Sequence, residues 1–344
     1  LNLATTLGVP GLPGGNYSLE VTDNYGVCGT VIRNFTLTDP SPNVYSIIAG
    51  SPTTTSICTG DNITIALNNS DGASVTYEIR RNGGATGITF PGTGSGPFIM
   101  TFPGTTFSDG DVIQVRATDG FCSPANMTGA VPMVIHPLPT AITSGGGTIC
   151  AGDPLPDVTF NFTGTPPFNF TYTDGVSFFP IVGHNALTFT IPNAPAGSYS
   201  VTALTDANTC LATSLGGSVQ VIVNPAPVLV VGQSKTICSG DNVAYEILLN
   251  PANFPAGTVF NWPDPDGAGP ATAGVNVPMG AAGTLHINDA LVNAGTTPIV
   301  VTYVVTPISG ASCPGVPQNI DITVSPRPVL VVGQSKTICS GDNV

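Results

Sequence analysis

Basic residues are scarce in this sequence: seven of its 344 residues are Lys or Arg, against 20 Asp or Glu, which gives a net charge of −13. Nucleic acids and anionic membranes are bound mainly through clustered positive charge. No apolar run reaches the roughly 18 residues of a membrane helix. We therefore expect no nucleic-acid partner and no membrane insertion. The start, residues 1–4, also lacks the basic region of a signal peptide, so any export signal is expected outside this sequence.

The straight-chain residues that favour helices are equally rare, since Lys, Glu, Arg and Gln together number only 15. In their place, 42 Gly and 33 Pro punctuate stretches rich in Val, Ile and Thr. Such stretches favour strands joined by turns. A hydrophobic content of 41% is enough to build packed cores. The composition thus predicts a folded, all-β protein.

Groups suited to catalysis are few. The three histidines, His136, His184 and His286, fall at unrelated positions, and we interpret each as an exposed loop or strand residue. No nucleophile or phosphate-binding motif stands before a helix as its chemistry requires. We therefore expect no enzyme. The two lysines, Lys235 and Lys336, are also too few for an isopeptide bond in every domain.

Internal repetition is the most informative feature, because residues 227–243 recur unchanged at 328–344. Pro-x-Pro segments, which are extended and semi-rigid, separate units of about 90 to 100 residues, a size that suits a β-sandwich. These segments are Pro40-Ser41-Pro42, Pro137-Leu138-Pro139, Pro225-Ala226-Pro227 and Pro326-Arg327-Pro328. The predicted domains are 43–136, 139–224 and 227–325, flanked by partial domains at 1–39 (last strands only) and 328–344 (first strand only).

Each whole unit opens with the pattern Ile-Cys-x-Gly-Asp, as at residues 57–61. In the first whole unit an alternating run follows, which places Ile63, Ile65 and Leu67 on one buried face. About 20 residues after the Cys comes an aromatic residue, where the third strand of an immunoglobulin-like sandwich carries its core aromatic. These aromatic residues are Tyr77, Phe170 or Tyr172, and Trp262.

The units also close in related ways. Tyr199 enters a penultimate strand from a Gly turn, which resembles the tyrosine corner of immunoglobulin-like folds, and a Thr-Asp-x-x-x-Cys turn then ends at Cys210. Tyr17 and Cys28 have the same spacing. We predict a hairpin turn just before each closing cysteine.

Together, the opening pattern, the closing pattern and the run 301–307 with Cys313-Pro314-Gly315 resemble the PKD-like and immunoglobulin-like repeats of very long Bacteroidetes surface proteins. That group includes gliding-motility adhesins exported by the type IX secretion system. The resemblance implies tandem immunoglobulin-like β-sandwiches in an extended rod, with 227–325 PKD-like or immunoglobulin-like. It implies a secreted, cell-surface stalk that holds an adhesive part away from the cell. The partners are then neighbouring domains and, through lateral self-association, other rods.

Eight cysteines without metal-binding spacing favour structural disulfides in an oxidising compartment. Pairing within a unit would join Cys58 to Cys122, Cys150 to Cys210 and Cys238 to Cys313.

In an immunoglobulin-like sandwich, however, the first turn faces the next domain and the final hairpin faces the previous one, while bonded Cα atoms must lie within about 7 Å. We therefore favour pairing across the junctions, Cys58 to Cys210 and Cys150 to Cys313. Cys28 and Cys122 would then pair with preceding units, and Cys238 and Cys339 with following ones. Pairing within units stays open, because the first cysteine of a unit could sit further along its strand.

Two alternatives concern ligands. Asp264 and Asp266 share one turn, but no Asp-x-Asp-x-Asp-Gly loop with a distal Glu exists, so we expect no cofactor and keep calcium as an alternative. The repeats could themselves bind a glycan or a protein. Aromatic platforms on exposed strands would support that second function.

Overall fold

The computed structural model describes residues 15–22, 29–37, 42–120, 122–253, 255–265, 271–279, 284, 286–329, 333 and 340–341. In this part of the chain the secondary structure consists of strands and one short 3-10 helix at Gly104–Thr106, with no α-helix. Three separate hydrophobic cores follow one another along the sequence. They define three immunoglobulin-like β-sandwiches, called here the first, second and third sandwich. The predicted all-β fold is confirmed.

A two-stranded hairpin precedes the first sandwich. Strands β1 (Gly15–Thr22) and β2 (Thr30–Leu37) pair antiparallel over eight residues. Tyr17 stacks on Phe35 with ring centroids 5.9 Å apart. Within the described residues, β1 and β2 pair only with each other. They fall in the stretch expected to hold the last strands of a partial domain.

The first sandwich is built from nine strands around a core that includes Ile65, Tyr77 and Met100. One sheet has the order β10-β8-β5-β6, with β9 beside β8, and β4 pairs with β7. The short strand β3 runs parallel to β11. The strands are β3 (Ser56–Cys58), β4 (Asn62–Leu67), β5 (Thr76–Arg81), β6 (Gly84–Pro91), β7 (Phe98–Pro103), β8 (Val112–Thr118), β9 (Ala125–Asn126), β10 (Val131–Pro132) and β11 (Val134–His136).

The second sandwich has a four-stranded sheet of order β17-β14-β12-β19 and a five-stranded sheet of order β13-β20-β18-β15-β16. Its opening strand β13 runs parallel to β20. The strands are β12 (Thr140–Gly145), β13 (Gly147–Cys150), β14 (Val158–Thr163), β15 (Phe168–Thr173), β16 (Phe178–His184), β17 (Thr188–Ile191), β18 (Gly197–Thr205), β19 (Leu215–Gly216) and β20 (Val219–Asn224).

The third sandwich has a five-stranded sheet of order β21-β25-β24-β22-β23, in which β21 runs parallel to β25. Isolated bridges such as Tyr245 to Ile287 and Asn242 to Ala290 form the facing layer. The strands are β21 (Ser234–Cys238), β22 (Val259–Trp262), β23 (Gly274–Pro278), β24 (Ile299–Ile308) and β25 (Gln318–Ser325).

The side chains that were predicted to build the cores do so. Ile63, Ile65 and Leu67 are completely buried on β4, as alternation predicted. The expected core aromatics Tyr77, Phe170 and Trp262 lie buried on β5, β15 and β22, which are inner strands of their sheets, while Tyr172 is half-buried. On β18, the buried Tyr199 donates a hydrogen bond of 2.9 Å from its hydroxyl to the Pro195 carbonyl, as a tyrosine corner requires.

Candidate functional site

The opening cysteine of each sandwich stands at the start of a closed turn. In the first sandwich, Asp61 donates its N–H to the Cys58 carbonyl (3.0 Å), and the Asp61 carboxylate accepts the Cys58 N–H (3.2 Å). Cys150 and Asp153 make the same two bonds, both at 3.1 Å. The Gly between them needs a positive φ (+96° at Gly60), which explains the Cys-x-Gly-Asp pattern.

Each opening turn is also tied to the last strand of its own sandwich. The residue after the cysteine donates its N–H to the carbonyl that precedes the proline segment: Thr59 to His136 (2.9 Å) and Ala151 to Asn224 (2.8 Å). Because the opening and last strands run parallel, the opening cysteine lies at the end of the sandwich where the chain leaves for the next one. This placement agrees with the topological argument from the sequence.

The closing cysteine is positioned by a polar side chain upstream of it. Asp206, only 4% exposed, accepts the N–H of Cys210 (3.1 Å) and of Asn208 (3.0 Å) at Oδ1, and that of Thr165 (3.2 Å) at Oδ2. In the third sandwich, the Ser309 hydroxyl takes over this role by accepting the Cys313 N–H (3.1 Å). The predicted hairpin turn is present here, closed by bridges that include Thr205 to Leu211 and Ile308 to Pro314.

The first sandwich keeps this arrangement in a turn that is one residue shorter, where Asp119 Oδ1 accepts the Cys122 N–H (2.8 Å). In the sequence the Thr-Asp-x-x-x-Cys pattern predicted only a turn, and the role of these residues in orienting the cysteine was missed. The signal was the polar residue three or four positions before every closing cysteine.

Two disulfides join neighbouring sandwiches. Cys58 of the first is bonded to Cys210 of the second, with Cα atoms 5.5 Å apart and a sequence separation of 152. Cys150 of the second is bonded to Cys313 of the third, with Cα atoms 5.4 Å apart across 163 residues. This is the junction-spanning scheme favoured by topology, and these four cysteines are therefore not paired within their own sandwiches.

The linker prolines pack beside the same hairpins. A Cβ on Gly315 would lie 2.0 Å from the Pro227 carbonyl oxygen, so only Gly fits where the linker crosses the third sandwich. At the preceding junction, a Cβ on Gly164 would lie 3.0 Å from the Pro139 ring. Each junction thus combines a disulfide with a close approach between a linker proline and a glycine of the following sandwich.

The structure describes only two of the other four cysteines. Cys28 and Cys339 lie outside the described residues. Cys122 is half-buried in its closing turn, and Cys238 is an exposed free thiol in the third sandwich. Structural disulfides at these four positions stay a prediction.

The three histidines are half-buried rather than exposed, which corrects the sequence-based interpretation. His136 lies on β11, where Nε2 is 2.9 Å from the Ser56 hydroxyl, and His184 Nε2 is 2.8 Å from the Thr188 carbonyl. His286 accepts the Ile247 N–H at Nδ1 (2.9 Å) and meets the Phe260 ring edge-on. Its burial lowers its pKa. The histidines bond to separate strand segments and do not converge on one site.

The described residues give little support for a metal site or for isopeptide bonds through lysine. No group of three or more His, Cys, Asp or Glu side chains there could hold a metal ion. Of the turn considered for calcium, Asp264 is described, whereas Asp266 lies outside the described residues. Lys235 donates to the Ala244 carbonyl (2.8 Å), and Lys336 lies outside. Within the described part of the chain, no helix is long and apolar enough to cross a membrane.

Comparison with known proteins finds a family model that matches one stretch of the chain. Residues 235–328 match the PKD-like domain family. No curated protein sequence matches the chain. Among solved structures, a three-domain I-band fragment of titin (I67–I69) is similar with a TM-score of 0.44 and 10% identity, covering 84% of this chain and all of that one.

Two bacterial adhesins are also among the similar structures. One is a 1.5-MDa bacterial ice-binding adhesin, with a TM-score of 0.34, 13% identity, and 82% and 98% of the two chains covered. The other is a Ca²⁺-stabilised adhesin of an Antarctic bacterium that binds ice, with a TM-score of 0.33, 13% identity, and 91% and 81% covered.

Proposed function

We propose that this chain is a covalently reinforced stalk segment of a long secreted cell-surface adhesin, and that it acts by extending an adhesive part away from the cell. Its domains are 43–136, 139–224 and 227–325, with partial domains at 1–39 and 328–344. The observation that carries the proposal is the pair of disulfides between successive sandwiches. A rod that transmits tension needs strong junctions, and these bonds lie at the junctions.

The two disulfides overlap in sequence, because Cys150 lies inside the loop closed by Cys58 and Cys210 while its partner Cys313 lies beyond it. A covalent path under tension therefore runs from Cys58 to Cys210, back along the chain to Cys150, and across to Cys313. This path spans about 150 residues instead of all 344, or roughly 500 Å rather than roughly 1,200 Å when fully extended. Unfolding the first or the third sandwich would then lengthen the stalk only a little, because most of each lies outside this path.

The cellular setting follows from the same bonds. Disulfides form and persist in oxidising compartments, which supports an extracellular location. The Ile-Cys-x-Gly-Asp and Thr-Asp-x-x-x-Cys patterns support the gliding-motility adhesin type among Bacteroidetes surface proteins. The partners in this proposal are neighbouring domains of the same chain and parallel rods. A catalytic role is not proposed, because the histidines are engaged in separate backbone and strand contacts.

Single-molecule stretching tests the proposal. The chain is tethered through handles at residues 1 and 344 and pulled until all sandwiches unfold. The oxidised protein should reach a contour length of roughly 500 Å, and the same protein in reductant roughly 1,200 Å. The Cys150→Ser/Cys313→Ser variant, which keeps only the first junction disulfide, should reach roughly 650 Å. Equal lengths in oxidised and reduced protein would rule out the reinforced stalk.

Cell-surface location has its own test. Antibodies against the three sandwiches should label intact, unpermeabilised cells that make the protein. Labelling that appears only after the cells are opened would contradict a surface stalk, whatever the stretching experiment shows.

A second candidate function, ligand binding by the second sandwich, is favoured by one observation. The edge strand β16 exposes Phe178 (68%) and part of Phe179, and the Phe179 ring stacks on Tyr172 with centroids 4.9 Å apart. Stacked rings on an exposed strand are suited to a sugar or protein surface. If a glycan array yields a ligand, Phe179→Ser, which removes the stacked ring, should abolish binding, while Val176→Ser, at an exposed site beside β16, should not. Equal binding by both variants would exclude this surface.

A further inference from the structure

The opening turn of the third sandwich has the geometry of the two turns that carry junction disulfides. Asp241 donates its N–H to the Cys238 carbonyl (3.0 Å), as Asp61 does to Cys58. Ser239 donates its N–H to the Ser325 carbonyl (2.9 Å), the bond that Thr59 makes to His136. Gly240 has the same positive φ, +82°. Cys238 therefore occupies the position of Cys58 and Cys150, both of which are bonded to the next sandwich.

The surroundings of Cys238 are open, whereas Cys58 and Cys150 are each covered by the hairpin to which they are bonded. Its thiol is free and exposed, at the rim of a concavity of about 380 Å³. We call this concavity the Cys238 docking surface. It is lined by Lys235, Thr236, Ile237, Cys238, Asp241, Asn242 and Ser325.

We propose that Cys238 is the covalent docking site for the closing hairpin of a further sandwich, the one whose first strand is encoded by residues 328–344. This inference rests on the proposed stalk function and extends its chain of overlapping disulfides by one link. The occupant is a hairpin with an Asp or Ser upstream of its cysteine, like those at Cys210 and Cys313. It brings a single thiol to the Cys238 sulfur.

The repeated segment supports this occupant. Residues 328–344 repeat 227–243 without a change, so Pro328 stands where Pro227 packs against Gly315 in the third sandwich. A sandwich built on this segment would therefore present its closing hairpin to its linker as the third sandwich does. At the second junction, that arrangement brings Cys313 to Cys150.

The linker that would lead to this sandwich is already fixed on the docking surface. Arg327 donates from Nε to the Ser239 carbonyl and from a terminal nitrogen to Asp241 Oδ1 (2.6 Å). The corresponding linker residues are Leu138 and Ala226, neither of which can make such bonds. Arg327 thereby holds the linker against the turn that carries Cys238.

The bond forms by oxidation. The Cys238 thiol and the incoming thiol lose two protons and two electrons as the sulfur–sulfur bond forms. The electrons pass to an oxidant of the protein-disulfide class, whose own disulfide is reduced to a dithiol. An oxidising compartment supplies that class of oxidant.

The exact repeat allows a seamless test. Appending a copy of residues 244–326 after Val344 completes one more sandwich with the sequence of the third. Two marker substitutions keep the peptides distinct: Cys339→Ser removes the second opening cysteine, and Val316→Ile, at an exposed site, tags the resident closing peptide by mass. Native alkylation and non-reducing peptide mapping then follow Cys238.

In the 344-residue chain, Cys238 should be alkylated fully. In the extended chain its alkylation should be lost, and its peptide should be linked to the untagged closing peptide. A Cys238→Ser version of the extended chain should leave the appended cysteine alkylatable. Alkylation of Cys238 in the extended chain, linkage to the tagged Cys313 peptide, or linkage only between molecules would each overturn the proposal. If Cys58–Cys210 and Cys150–Cys313 still map as bonded, the stalk function stands without it.

Discussion

Cys150 and Cys210 belong to the same sandwich, yet they are bonded in opposite directions: Cys210 to the first sandwich and Cys150 to the third. The middle sandwich is therefore anchored at both ends. Its opening turn and its closing hairpin act as one covalent connector, which makes the positioning of these two cysteines central to the function proposed here.

The buried carboxylate of Asp206 should be needed to hold the closing hairpin. Asp206→Ala leaves the N–H groups of Cys210, Asn208 and Thr165 without their acceptor, which should cost about 2–4 kcal/mol of stability in the second sandwich. Hydrogen exchange of the second sandwich in increasing denaturant measures this loss.

Asp153→Ala is the matched control for Asp206→Ala. Asp153 is exposed and accepts one side-chain hydrogen bond, from the Cys150 N–H, so its loss should cost less than about 1 kcal/mol. Similar losses in the two variants would show that burial of the Asp206 carboxylate is not what stabilises the hairpin.

Gly315 should be required for the second junction to close. Gly315→Ala places a methyl group 2.0 Å from the Pro227 carbonyl oxygen and 2.8 Å from the Pro307 ring, so the linker has to move. We expect a stability loss of about 1–3 kcal/mol in the third sandwich and a lower yield of the Cys150–Cys313 bond. Gly72→Ala, where a Cβ meets nothing within 4 Å and φ is not positive, should leave both unchanged.

The single tryptophan, Trp262, makes the readout of the Gly315 prediction specific. It is buried in the third sandwich, so its fluorescence follows the unfolding of that sandwich. An unaltered fluorescence transition together with a full yield of the disulfide would contradict the prediction.

Local sequence patterns were sufficient to predict the cores. Alternation placed Ile63, Ile65 and Leu67 correctly, because a half-buried strand repeats every two residues whatever lies opposite it. The spacing from the opening cysteine likewise located Tyr77 and Trp262, since this spacing is set by strand and turn lengths. Topology favoured disulfides across the junctions, although it left pairing within units open, and the structure contains two disulfides across the junctions.

The surroundings of His286 could not be predicted in this way. Its burial depends on Phe260, which lies 26 residues away in sequence, and on Ile247, which lies 39 residues away. The exposure of Phe178 similarly reflects the position of β16 at the edge of its sheet. Both are consequences of which strands become neighbours, and no local pattern encodes that choice.

Acidification should destabilise the third sandwich through His286. Nδ1 accepts the Ile247 N–H, so protonation would place a second donor against it, and burial lowers the pKa of the ring below 6.5 although the Glu246 charge opposes this. The folded state then binds fewer protons than the unfolded state. This contribution to stability is therefore complete above pH 6.5 and is lost as the pH falls through the lowered pKa. Trp262 fluorescence in denaturant at a series of pH values measures it.

A substitution separates His286 from the carboxylates. His286→Gln offers an amide oxygen to the Ile247 N–H and does not titrate in this range. Its unfolding free energy should therefore be flatter between about pH 5 and 7 than that of the parent protein. An equally steep dependence in the variant would assign the effect to other groups.

The junction disulfides should resist reduction as long as the sandwiches stay folded. Thiol–disulfide exchange requires the attacking thiolate to reach either sulfur in line with the bond. Cys210 and Cys313 are 0% and 1% exposed, and their partners Cys58 and Cys150 are half-buried. In native protein treated with dithiothreitol, labelling of these two cysteines should be at least about 10-fold slower than in denatured protein, because access controls the rate. Cys238, exposed and free, should be labelled at once in both and serves as the internal control.

Quenched alkylation followed by mass spectrometry gives the three rates. If Cys210 and Cys313 were labelled in the native protein as fast as Cys238, the junctions would be open to solvent, and the disulfides would act as reversible links rather than permanent ones.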